Sequence, residues 1–187
     1  FNAETYTLPN NYQSVENITA LERGMSSNYT QAAVLSEALA SLYKEGDLRL
    51  DAYFKAADKN GYRFSQKSGK DDFRCSFRVG EMYLNSAEAA AQSDQLPQAR
   101  TRLLELMQKR YTPEAYTVKA TAVNAMNKEA LIQEILDERA RELAFEGHRW
   151  FDLRRTTRPR IEKVLKGGTY VLEQDDSRYT IQIPREA

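Results

Sequence analysis

The sequence predicts a mainly α-helical fold that contains a tetratricopeptide-like helical hairpin and one long charged helix, together with small β-hairpin elements and extensive loops. Two observations lead to this fold class. Apolar or small side chains recur three and four residues apart over 78–110 and again over 128–150, which is the spacing of one face of an α-helix. Strand-like patterns are confined to short stretches, within 53–77 and after 168.

The first third of the chain is predicted to be poor in regular structure. Residues 1–34 are polar and follow neither a helical nor a strand period, so we expect a loop-rich lead-in. Ser36 is a typical N-cap for a short helix over 37–43. A second short turn follows from Asp47, and the alternation within 53–77 suggests short strands or a hairpin.

Residues 78–110 predict the helical hairpin. The first helix, over 78–92, places Val79, Met82, Tyr83, Ala87 and Ala90 on one face. A short connection leads to Pro97, a residue favoured in the first turn of a helix. The second helix reaches about Arg110 and carries the apolar stripe Ala99, Leu103, Leu106 and Met107. Helices with so short a link form an antiparallel pair, but no second copy of a 34-residue repeat is visible.

The long charged helix is predicted after a polar loop over 111–127. Asn127 is a suitable cap, and the helix continues from Lys128 through Trp150. Its apolar stripe is Ile132, Leu136, Ala140, Leu143, Gly147 and Trp150. After Arg160 we expect a short helical stretch, and then two strands over 169–173 and 178–183 that form a C-terminal hairpin.

Composition limits the functional classes. The 187 residues include 27 Lys+Arg and 27 Asp+Glu, so the formal net charge is zero, which argues against a general nucleic-acid binder. No apolar run is long enough to cross a bilayer. With one cysteine, Cys75, and one histidine, His148, the sequence predicts neither a disulfide framework nor a metal site. No Gly-rich phosphate loop or other cofactor motif is present, so we expect no cofactor.

Charged side chains concentrate over 138–155. This segment could be a catalytic site or a structural ion-pair network. Glu142 and Glu146 have a separation that would suit the acid and base of a glycoside hydrolase. Arginines on the same helix face would keep both carboxylates ionised, however, whereas a general acid needs a raised pKa. We therefore predict a structural ion-pair network and no catalytic residue. The network is predicted to comprise Arg139, Glu142, Glu146, Arg149 and Asp152, with pairing three residues apart along the helix surface.

Aromatic side chains in loops are the candidate ligand-binding residues, because aromatic rings stack well on sugar rings. The candidates are Tyr6, Tyr12, Tyr29 and Tyr62. Trp150 and Phe151 lie at the end of the apolar stripe, and we expect them to pack in the core.

Three segments resemble the SusD/RagB family of outer-membrane nutrient-binding lipoproteins from Bacteroidetes. Residues 77–89 (FRVGEMYLNSAEA) are similar to the family's Arg-x-x-Glu-x-Tyr-Leu…Ala-Glu-Ala helix. Residues 135–155 (ILDERARELAFEGHRWFDLRR) match its long charged motif, and residues 183–186 (IPRE) resemble its closing element. The resemblance covers about 35–187, which would make 1–187 the C-terminal region of such a protein, with the N-terminal region absent.

The resemblance implies a non-catalytic protein at the cell surface that binds glycans for import. It implies a SusC-like TonB-dependent outer-membrane transporter as partner, a lipid anchor on the missing N-terminal region, and a structural role for the charged motif. Three alternatives stay open: binding of peptides or other nutrients, a tetratricopeptide-like scaffold that binds only protein, and a glycoside hydrolase that uses Glu142 and Glu146.

Overall fold

A computed structural model of the chain describes residues 14–20, 33–67, 76–165 and 167–180. Within these ranges the fold is mainly helical, as predicted. The helices are α1 Glu37–Ala40, α2 Arg49–Tyr53, α3 Val79–Gln92, α4 Leu96–Met107, α5 Pro113–Ala125, α6 Lys128–Glu142 and α7 His148–Arg155. The strands are β1 Asn17–Ala20, β2 Ser76–Arg78, β3 Ile161–Leu165 and β4 Gly168–Leu172. The chain divides into two compact units, residues 1–146 and 147–187.

The predicted helical hairpin forms the core of the first unit. Only three residues separate α3 from α4, and the alanines of α3 let the two helices pack closely. The predicted α4 stripe is buried. On α3, Leu84 is buried, whereas Val79 of the predicted face is 37% exposed. Leu131 and Ile135 of α6 complete this core. Burying one such leucine or isoleucine side chain contributes roughly 1.5–3 kcal/mol.

The prediction of a loop over 111–127 is wrong, because most of this segment is α5. Thr112 caps the helix by accepting a hydrogen bond from the Ala115 amide, and Pro113 occupies the first turn. Val123 is the one α5 residue that is fully buried, so the segment has almost no apolar period. The cap and the proline were therefore its only sequence signals.

The prediction of one helix through Trp150 is also wrong, because α6 ends at Glu142. Phe145 (φ 61°) and Gly147 (φ 86°) adopt left-handed backbone conformations, and α7 begins afresh at His148. Glycine adopts this conformation without steric cost, so Gly147 suits a helix boundary. The predicted stripe therefore belongs to two different helices.

The second unit contains the predicted C-terminal hairpin in a shifted position. Its strands are β3 and β4, which pair antiparallel, so the helical stretch expected after Arg160 is a strand. The strand expected over 178–183 is a short 3-10 turn, Ser177–Tyr179, as far as the structure describes it. Trp150 stacks on Tyr179 with ring centroids 5.1 Å apart, whereas Phe151, expected to be packed, is 61% exposed.

The remaining strands form a small sheet in the first unit. Strand β1 falls within the lead-in that was predicted to be loop, and it pairs antiparallel with β2. Between residues 53 and 67, where strands were expected, the structure has only isolated bridges such as Phe54–Ser65. Of the helices in the described ranges, none combines the length and apolar character that a membrane span requires.

Candidate functional site

The predicted acid and base residues lie in a buried cluster of alternating charges, which we call the buried ion network. It joins side chains from β2, α2, α6 and the connections around them. Its acidic members are Glu16, Asp47, Glu138, Glu142 and Glu146, and its basic members are Arg49, Lys67, Arg78, Arg110 and Arg141. Five carboxylates thus face five cations. At the edge of the network Arg141 also binds Glu134 at 2.6 Å, and Glu134 binds Lys119 at 3.1 Å, so the charges stay balanced with this pair included.

Glu142 is the centre of the network. Its side chain is fully buried and accepts hydrogen bonds from Arg78 Nη1 at 2.6 Å, Arg110 Nε at 3.0 Å and Arg49 Nη1 at 3.0 Å. Burial alone would raise the pKa of Glu142, but Arg110, Arg78 and Arg49 hold it well below its usual range. The carboxylate is therefore ionised and out of reach of a substrate.

Arg49 organises one side of the network. Its Nη2 donates to Asp47 Oδ2 at 2.8 Å, and its Nη1 donates to Glu138 Oε1 at 2.7 Å. Arg141 donates to the other oxygen of Glu138 at 2.6 Å. Burial would raise the pKa of Glu138, but Arg49 and Arg141 outweigh it and lower the pKa to about 2.

Arg78 and Lys67 organise the other side, at the C-terminal end of α6. Arg78 binds Glu146 with two parallel hydrogen bonds of 2.9 and 2.8 Å, a strong bidentate arrangement. The Lys67 ammonium also binds the Glu146 carboxylate and the carbonyl groups of Glu142 and Ala144. Burial would raise the pKa of Glu146, but the two cations lower it to about 2. Burial dominates for Lys67 and lowers its pKa to about 8.

The two cations on Glu146 should contribute unequally to stability. We expect Lys67→Met to lower the free energy of unfolding by about 2–4 kcal/mol, because the buried carbonyl groups of Glu142 and Ala144 lose their donor while Glu146 keeps both bonds to Arg78. Arg78→Met should cost more, because it removes the guanidinium that binds both Glu142 and Glu146. Urea denaturation followed by circular dichroism would measure this. A loss for Lys67→Met as large as that for Arg78→Met would contradict the unequal contributions of the two cations.

The other predicted network residues lie apart from this cluster. Arg139 donates to Asn85 Oδ1 at 2.6 Å and lies near Glu88, on the α3 side of α6. Arg149 is exposed, and Asp152 accepts a hydrogen bond from Arg155 at 2.8 Å within the second unit. The helix break after Glu142 explains why the charged row does not continue along one face.

Sequence reasoning missed most of the basic half of the network. Arg49, Lys67 and Arg110 are single charges scattered over 60 residues, and nothing in their local pattern marks them as buried. Arg78 and Arg141 carried a signal, because they lie in the family-like segments 77–89 and 135–155. The acidic members Glu16, Asp47 and Glu138 were also absent from the predicted network.

Of the predicted ligand-binding tyrosines, Tyr62 lies within the described residues and is 54% exposed. Tyr6, Tyr12 and Tyr29 lie outside them. Tyr62 follows a tight turn in which the Asp58 carboxylate accepts hydrogen bonds from the amides of Asn60 at 2.8 Å and Tyr62 at 2.9 Å. Among the described residues, the Tyr62 hydroxyl has no hydrogen-bond partner.

A cleft of about 780 Å³ lies beside α5 in the first unit. Its walls are mostly apolar and include Tyr111, Ala115, Val118 and Ala122, while Lys44, Glu114 and Lys119 provide charged groups. In the described ranges, no group of three or more His, Cys, Asp or Glu side chains is arranged to hold a metal ion.

The helical hairpin and the closed charged core define a mainly helical, tetratricopeptide-like protein. Residues 10–185 match the SusD family, and the chain belongs to that family. A SusD-like carbohydrate binding protein from Bacteroides vulgatus ATCC 8482 has a similar solved structure, with a TM-score of 0.61 and 18% sequence identity. The alignment covers 100% of this chain and 50% of that protein, so the chain spans half its length. No curated protein matches the sequence.

Proposed function

We propose that the chain is part of a glycan-binding protein that captures carbohydrate at the outer membrane and passes it to a SusC-like TonB-dependent transporter. The match of residues 10–185 to the SusD family is the observation that carries this proposal. The similarity to a structure described as a SusD-like carbohydrate binding protein supports the same ligand class. A surface-exposed lipoprotein, anchored through an N-terminal lipid, is the arrangement that the family resemblance implies.

Binding without catalysis is supported by the state of the charged residues. A glycoside hydrolase needs one carboxyl that can donate a proton and two carboxyls that reach the sugar. Glu142 and Glu146 are buried, and neighbouring cations lower the pKa of each. Neither meets the requirement, so their role in the proposal is structural.

Tyr62 is the aromatic residue that we propose to contact the glycan in the first unit. Its loop is fixed to α2, because Arg63 donates to Asp51 Oδ1 at 2.7 Å and to the carbonyl of Leu50 at 3.1 Å. An exposed ring on a fixed loop can stack on a sugar ring at little cost in conformational entropy. Tyr6, Tyr12 and Tyr29 remain predictions as further contacts.

We expect Tyr62→Ala to weaken glycan binding about threefold to tenfold, since an aromatic contact contributes roughly 0.5–1.5 kcal/mol. The measurement is calorimetry or affinity electrophoresis on a panel of xylan, galactomannan, laminarin, pullulan and pectin. Tyr62→Phe, which keeps the ring, should bind nearly like the wild type. Analysis of the same samples for cleavage products tests catalysis, and released oligosaccharides would overturn the non-catalytic assignment.

A peptide is the second candidate ligand, and the cleft beside α5 favours it. The apolar walls at Ala115, Val118 and Ala122 suit an aliphatic side chain better than a hydroxyl-rich sugar. If the polysaccharide panel gives no binding, a peptide library tested against wild type and Ala122→Trp, which would obstruct the cleft, decides whether this site is used.

A further inference from the structure

The β3–β4 hairpin of the second unit presents one isolated aromatic ring. Tyr170 is 58% exposed, and Lys163 lies directly opposite it in the strand pairing. Paired residues of an antiparallel sheet lie on the same face, with their Cβ atoms about 5 Å apart. The Lys163 ammonium therefore lies within reach of a ligand that rests on the Tyr170 ring.

Open space lies beside this ring. Gly168 is two residues before Tyr170 and so shares its face of the strand. A Cβ atom built at Gly168 would have no atom within 4 Å apart from its chain neighbours. Beside the aromatic ring the hairpin therefore leaves room for a side chain at position 168.

Two polar groups around the ring are unpaired within the part of the chain that the structure describes. Neither the Lys163 ammonium nor the Tyr170 hydroxyl has a hydrogen-bond or ion-pair partner among the residues that the structure describes. The charged side chains nearby are already paired: Arg160 with Glu162 at 2.8 Å and with Glu173 at 3.4 Å. One free donor and one free hydroxyl beside an aromatic ring match a sugar, which has an apolar ring face and hydroxyls at its edge.

We infer that Tyr170, Lys163 and Gly168 form a second glycan subsite, in which a pyranose ring stacks on Tyr170 and a sugar hydroxyl accepts a hydrogen bond from Lys163. This subsite rests on the proposed glycan-binding function. A sugar fits better than a protein partner, because a protein interface requires a contiguous apolar centre and about 1,000 Å² or more of buried surface. Here Ile161 and Leu172, on the same face, are half-buried, and Tyr170 is the exposed ring beside Gly168 and Lys163.

The test uses the same five polysaccharides and three variants of the whole chain. Tyr170→Ala should weaken binding of the preferred polysaccharide about threefold to tenfold. Gly168→Val should weaken it similarly by filling the space beside the ring, and since a valine there meets no clash and favours a strand, folding should be preserved. Val164→Ala is the matched control, because Val164 is 77% exposed but pairs with Thr169 on the opposite face.

The outcomes separate the subsite from the function. Reduced binding by both Tyr170→Ala and Gly168→Val, with unchanged binding by Val164→Ala, supports the subsite. If Tyr170→Ala binds like the wild type, the subsite is overturned and glycan binding by the chain stands. The same holds if Val164→Ala weakens binding as much as Tyr170→Ala does. A wild-type chain that binds none of the five polysaccharides overturns both.

Discussion

Replacing Glu142 by glutamine is expected to lower the free energy of unfolding by about 3–5 kcal/mol, the cost typical of breaking a buried ion pair. The shape of the side chain is kept, so no cavity is created. The charge is lost, however, and five cations then face four carboxylates in the buried ion network. The new amide would also place an NH₂ group among Arg49, Arg78 and Arg110, which donate to Glu142 in the wild type.

The matched control is the same substitution at an exposed ion pair. Glu105 accepts a hydrogen bond from Arg102 at 2.9 Å on the surface of α4, where both side chains are about 40% exposed. Glu105→Gln should cost at most about 1 kcal/mol, because surface ion pairs contribute little. Urea denaturation of both variants at pH 7 measures the difference. Equal losses would show that the buried network is not a main source of stability.

The sequence predicted the helical hairpin, which buries strong apolar stripes, and missed α5, which does not. Over α4 the spacing of Leu103, Leu106 and Met107 follows the helical period because this face packs on α3. Most of α5 remains at the surface, so its residues carry no such period, and its start is encoded only by Thr112 and Pro113. A prediction from apolar spacing fails for a surface helix, because few of its side chains need to be apolar.

Two acidic members of the site were predictable from the sequence, and most of the others were not. Glu142 and Glu146 belong to a continuous charged motif, and their four-residue spacing is visible in the sequence. Their partners Arg78 and Lys67 are more than 60 residues away, and long-range contacts of this kind are not encoded in local spacing. The predicted pairs three residues apart are also not the ones that form. Arg139 contacts Asn85 and Glu88 on α3, and the helix end after Glu142 separates Glu146 from Arg149.

Acid should unfold the protein through the same network. The pKa values of Glu138 and Glu146 are lowered from 4.5 to about 2, so the native state binds fewer protons than the unfolded state between these pH values. A carboxylate with a depressed native pKa contributes stability that is fully present above its unfolded pKa and is lost as the pH falls. Each lowering corresponds to about 3 kcal/mol at neutral pH.

We therefore expect the free energy of unfolding to fall by several kcal/mol between pH 5 and pH 2, as measured by urea denaturation at closely spaced pH values. Glu138→Gln removes one carboxylate, so comparison with the wild type gives the contribution of Glu138 to the pH dependence. This variant should be less stable than the wild type at pH 7 but should lose less stability on acidification, so that the two curves approach each other near pH 2. Parallel curves would contradict the assignment, because they would mean that Glu138 has the same pKa in the folded and unfolded chains.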